Sequence, residues 1–88
     1  MSVLKNKVCI ITGGATGIGK GIATLYAKNG ANIILAARRE NLLEEATNEL
    51  RQFGTKIHFV VTDVTNEQDV KHLFSKTLSE FGQLDILV

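Results

Sequence analysis

Short apolar runs alternate with amphipathic stretches along the whole chain. Lys7 to Thr12 (KVCIIT) is rich in β-branched residues and apolar on both faces, which predicts a strand buried in a parallel sheet. Beyond a glycine-rich stretch, Ile18, Ile22 and Leu25 recur at i, i+4 and i+7, the stripe of an amphipathic helix, and Asn29-Gly30 stops it. Asn32 to Ala37 (NIILAA) reads as a second strand. Leu43, Ala46, Leu50 and Phe53 then mark a second helix, which Gly54 ends. Lys56 to Thr62 (KIHFVVT) is the third strand. Thr65 followed by Gln68 has the form of a capping box, and the helix it opens should bury Val70, Leu73, Phe74, Leu78 and Phe81 before Gly82. Leu84 to Val88 (LDILV) begins a fourth strand.

This β-α-β-α-β-α-β order with short connections predicts an α/β, Rossmann-type doubly wound parallel sheet. Right-handed crossovers put strands two and three on one side of strand one, and strand four on the other. The expected strand order is 3-2-1-4, with the topological switch between strands one and four. Two helices then cover one sheet face and a single helix the other. Part of the second apolar face is therefore expected to lack a cover, and strand four to lack a partner on its far side. Residues 1–88 read as the N-terminal part of a larger dinucleotide-binding domain. Alone, the 88 residues are expected to self-associate, or to fold only with a partner supplying the missing layer.

Composition narrows the functions. With 88 residues and a net charge of +1, nothing favours nucleic acid or an anionic membrane surface as partner. No apolar run approaches a membrane span or a signal-peptide core, so a cytoplasmic address is expected. The single Cys9 lies inside VCII and reads as a small buried hydrophobe. His58 and His72 lack a second ligand at metal spacing, so no metal site is expected.

The remaining question is why Thr12 to Gly19 (TGGATGIG) packs four glycines between a strand and a helix. Backbone N–H groups converging at a helix N-terminus bind phosphate, and a Cβ there would hold the ligand away. Gly13 would allow the tight turn, while Gly17 and Gly19 would allow close approach of a pyrophosphate and of helix to strand. The plainer alternative is a turn that only connects. A Walker-type loop is disfavoured, because Gly19-Lys20 is followed by Gly21 rather than a hydroxyl residue. Lys20 is expected to point to solvent.

TGGATGIG resembles the Thr-Gly-x-x-x-Gly-Ile-Gly signature of the short-chain dehydrogenases/reductases, and NIILAARR, VVTDVT and LDILV extend the resemblance along the chain. It implies an oxidoreductase that moves hydride between a nicotinamide cofactor and a small carbonyl or alcohol substrate, usually as a homo-oligomer. It assigns Gly13, Thr16, Gly17, Ile18 and Gly19 to the cofactor, and Asp63 with the backbone of Val64 to its adenine ring. From the residues alone, Asp63 before Thr65 is equally turn chemistry.

Where strand two ends, 18 residues past Gly19, stands Ala37 rather than the acidic residue that holds a ribose, and Arg38 and Arg39 follow. A guanidinium suits a 2′-phosphate, so NADP is expected over NAD, with Arg38 the main contact and Arg39 the weaker one. The alternative is a surface charge cluster before Glu40, Glu44 and Glu45. Asp85 reads as structural and Tyr26 as packing. The family's Tyr-x-x-x-Lys pair, serine and asparagine do not occur in these 88 residues. No catalytic residue is assigned, and the chain by itself is expected to be inactive. The competing hypothesis is a stand-alone module that binds nucleotide or a partner without catalysis.

Overall fold

The computed structural model describes residues 3–88. Four parallel strands, β1 (Val8–Thr12), β2 (Asn32–Ala37), β3 (Ile57–Val61) and β4 (Ile86–Leu87), form one sheet in the order β3-β2-β1-β4. This is the expected topology. Successive strand residues point to opposite faces, and the core divides accordingly. Cys9, Ile11, Ile33 and Leu35 pack with Ala23, Ala27, Leu43 and Leu50 from helices α1 (Gly17–Lys28) and α2 (Glu40–Leu50). Ile10, Ile34 and Val60 pack with Leu73 of α3 (Glu67–Phe81).

α1 departs from its apolar pattern. Its buried residues are Ala23 and Ala27, whereas Ile18 is 84% exposed, Leu25 is 57% exposed, and Ile22 is half-buried. The reason lies at Gly19, where an added Cβ would run into the Gly13 carbonyl. The helix begins so close to the loop and sheet that only small side chains fit beneath it, and the large ones turn outward.

α2 buries Leu43, Ala46 and Leu50 as its spacing implies. Phe53 instead belongs to a 3₁₀ turn, Arg51–Phe53, closed by Gly54 at φ +84°. Arg51 ties that turn to β3 by donating Nε and Nη2 to the Ile57 carbonyl at 3.3 and 3.1 Å.

α3 is capped one residue later than the Thr65–Gln68 pattern suggests. Asn66 is the N-cap and its Oδ1 accepts the Asp69 N–H at 3.1 Å. Thr65 is already committed to Asp63, which frees the cap position for its neighbour. Asn66→Ala should lower stability by about 1 kcal/mol. Thermal unfolding should report a drop of roughly 4–8 °C, and an unchanged midpoint would return the cap to Thr65.

α3 covers more of the second face than three helices on four strands suggested. Ile10 and Ile34 are fully buried beside it, because Leu73 and Thr77 form its inward face. A buried threonine is tolerated there because its hydroxyl donates to the Leu73 carbonyl at 2.8 Å. Leu78, expected inside, is 53% exposed, since it lies to one side of that inward face. Exposed apolar surface also remains at β4, where Leu87 is 56% exposed. β4 itself is shorter than the apolar run from Leu84 to Val88. Among the described residues, no helix is long and apolar enough to cross a membrane.

Candidate functional site

The loop from Gly13 to Thr16 leaves the carboxyl end of β1 and opens α1. Gly13 sits at φ +65° and donates its N–H to the Ala36 carbonyl at 2.8 Å, pinning the loop to β2. Gly17 sits at φ +58° with no atom within 4 Å of a built Cβ, so its bareness serves backbone conformation and leaves open space outside. Gly19 serves close packing, as described. Gly14, given no role in the sequence reading, has one: a Cβ there would lie 2.7 Å from Leu35 Cδ2. The Gly13-Gly14 doublet was the available signal.

Among the described residues, none of the backbone N–H groups of residues 14–19 donates to a protein acceptor. Thr16, the N-cap, makes no side-chain capping bond, and the first turn of α1 holds no acidic residue. This is a set of donors without acceptors at the positive end of a helix dipole, worth about half an elementary charge. It is complementary to an anion.

Two adjoining cavities flank the loop. One, of about 230 Å³, is lined by Ala15, Thr16, Arg39 and Leu42. The other, of about 350 Å³, is lined by Thr12, Thr62, Asp63, Val64 and Thr65. Gly13, Ala37 and Arg38 line both, so the arginine after β2 stands at their junction. Neither Arg38 nor Arg39 pairs with Glu40, Glu44 or Glu45 among the described residues, which weakens the charge-cluster alternative. Arg39 is the N-cap of α2.

Asp63 follows β3. Its Oδ1 accepts the Thr65 hydroxyl at 2.6 Å and the Thr65 N–H at 2.9 Å. Those bonds, with a smaller effect of Arg38, hold its carboxyl below the usual carboxylate range. Turn chemistry at Asp63 is thus real, and it orients the residue at the cavity rim. Val64 beside it is 59% exposed. The structure gathers Gly13, Thr16, Arg38, Asp63 and Val64 around the two cavities. Gly17, Ile18 and Gly19 stand at the start of α1, with the Ile18 side chain outside both cavity walls.

The other titratable residues carry no comparable arrangement. Lys20 does not point freely to solvent but pairs with Glu49 at 2.6 Å, joining α1 to α2. Cys9 is fully buried, and burial followed by the charge of Asp85 pushes its thiol up to about 11. It is inert at neutral pH. Tyr26 is half-buried against the core. His58 meets Phe81 edge-on at 5.5 Å. Among the described residues, no group of His, Cys, Asp and Glu is placed to hold a metal ion.

A family model described as short chain dehydrogenase matches residues 7–88. An uncharacterized oxidoreductase of Staphylococcus aureus is 42% identical over 88 residues, which is 100% of this chain and 37% of that protein. The chain thus spans little more than a third of the length of that relative. L-sorbose reductase from Gluconobacter frateurii, solved with NADPH and L-sorbose, superposes with a TM-score of 0.94 at 39% identity, over 99% of this chain and 34% of its own. An NAD+-bound xylitol dehydrogenase matches with a TM-score of 0.94 at 32% identity, over 97% of this chain and 33% of its own.

Proposed function

The chain belongs to the short-chain dehydrogenase family, and from that membership we infer that residues 1–88 form part of the dinucleotide-binding domain of an NADP-dependent oxidoreductase. The observation that carries this reading is the row of N–H groups from residue 14 to 19 that have no acceptor among the described residues, beside an Arg38 with no ion-pair partner among them. A diphosphate satisfies those donors together, and the bare Gly17 leaves it room to approach. Thr16 and Ile18 complete the contacts of the loop. Arg38 takes the 2′-phosphate through forked, charge-assisted hydrogen bonds. Asp63, held by Thr65, and the Val64 N–H receive the adenine ring at the rim of the larger cavity.

When bound, the nicotinamide group supplies or accepts hydride. This chain's residues bind and orient the cofactor. The substrate class is a small carbonyl or alcohol compound, in keeping with the sugar and polyol enzymes among the structural relatives.

Titration of the isotope-labelled whole protein that carries residues 1–88 with NADPH and NADH tests this. The amide signals of Gly14 to Gly19 should move most, and NADPH should bind more tightly than NADH. Loop amides that ignore both dinucleotides would remove the binding site, and equal affinities would remove the NADP preference.

A further inference from the structure

β4 rests on β1 through two Cα pairs, Cys9 with Ile86 and Ile10 with Leu87. Pairing that short is weakly specified, because sliding a strand by two residues keeps every side chain on its own face. The bonds that flank the pair select among those registers. Asp85 N–H donates to the Val8 carbonyl at 2.9 Å, and the Val8 N–H donates back to Asp85 Oδ2 at 2.9 Å. Two parallel strands do not exchange both bonds between one residue pair through backbone alone. The carboxylate stands in for a main-chain carbonyl. Gln83 Nε2 donates to the same Oδ2 at 2.8 Å and to the Asn6 carbonyl at 3.0 Å. At the other end of the pair, the Val88 carbonyl accepts both the N–H of Thr12, at 3.0 Å, and its hydroxyl, at 2.8 Å. Thr12 is the residue from which the glycine loop departs.

We propose that Asp85 is a positioning residue, whose carboxylate, braced by Gln83, locks β4 in the one register that seats Val88 against Thr12 beside the glycine loop. The functional half of this rests on the cofactor reading above, and the register half does not. A slip of two residues would carry the carboxylate roughly 6–7 Å from Val8 and unpair Val88 from Thr12. Bonding to Val8 and then to Gln83 holds the Asp85 carboxyl below the usual range, with Lys7 a smaller effect in the same direction and desolvation opposing. On β1 the Cys9 thiol faces the same carboxylate, whose charge adds to burial in raising it. Because the folded value is depressed, the latch is intact above the ordinary carboxylate pKa of about 3.9 and is lost as pH falls through the lower folded value.

Amide spectra of the whole protein that carries residues 1–88, taken across roughly pH 2 to 7, read the latch without any substitution. The Val8 amide proton should follow the carboxylate's titration, and Asp85→Asn should abolish that response. Asp85→Ala should speed hydrogen exchange of the Thr12 and Val88 amides by about tenfold or more, the loss of a bond to a charged group. Asp85→Asn, which keeps an acceptor oxygen, should restore most of the protection at neutral pH. NADPH affinity should weaken about tenfold in Asp85→Ala and recover in Asp85→Asn. A Val8 amide indifferent to pH, or Thr12 and Val88 exchange unchanged in Asp85→Ala, overturns the proposal. Intact latch signals in a chain that binds no dinucleotide would instead overturn the cofactor reading and leave the register assignment standing.

Discussion

Gly19→Ala is expected to cost the chain more than any other single methyl group in the glycine stretch. The added Cβ would lie 2.8 Å from the Gly13 carbonyl carbon and 3.1 Å from Gly14 Cα, and closer still to the Gly13 oxygen. These are backbone atoms, so no side-chain rotation relieves the overlap. Overpacking of this kind costs roughly 1–3 kcal/mol or more, and the upper end applies here. The melting temperature should fall by about 10–20 °C for a domain this size. Because the displaced atoms belong to the loop that presents the N–H groups, dinucleotide binding should vanish with it. Two neighbours calibrate the result. Gly17→Ala meets no atom and suffers only its left-handed backbone, about 1–2 kcal/mol. Gly21→Ala meets nothing at ordinary helical geometry and should stabilise α1 by up to about 1 kcal/mol. Circular dichroism melts of the three variants give the ranking, and a Gly19→Ala protein as stable as Gly21→Ala would refute the close-packing account.

Arg38→Ala should separate the two nicotinamide cofactors. The guanidinium lines both cavities and carries no ion pair among the described residues, so its charge is available to a ligand. Losing a hydrogen bond to a charged group costs about 1.5–3 kcal/mol, or roughly 10- to 150-fold in affinity. NADPH binding should weaken by that factor while NADH binding barely moves. Arg39→Ala, at the N-cap of α2, should have the smaller effect. Calorimetric titration at two salt concentrations checks the origin, since a phosphate contact weakens with ionic strength. An Arg38→Ala chain that loses NADH as steeply as NADPH would show a general role in the fold instead.

Strand order, helix number and the place of the glycine loop were all legible, because they follow from period, punctuation and crossover handedness. KVCIIT and NIILAA carry apolar residues on both faces, and only a sheet covered on both sides suits them. What misled was the assumption that a helix rests on its largest side chains. Ile18 and Leu25 outweigh Ala23 and Ala27 on any hydrophobicity count, yet the alanines face the sheet. The clue was present as Gly19, Ala23 and Ala27, small residues four apart. The cap of α3 shifted by one residue because Thr65 and Asn66 are both competent, and the competing bond to Asp63 is tertiary in origin. The rung that Asp85 supplies was invisible for the same reason: nothing local says that residue 85 will meet residue 8.

The β1–β4 pairing has a consequence for how the chain comes into being. Thr12 waits for Val88, 76 residues downstream. At about 5–20 residues per second of synthesis, that wait lasts roughly 4–15 s. Throughout it, an inner strand containing Cys9, Ile10 and Ile11, all wholly enclosed in the finished molecule, keeps one hydrogen-bonding edge vacant. Strand-to-strand capture between nascent chains competes with folding during that interval, so the ribosome and its attendant chaperones are where sequence changes in β4 will first be felt.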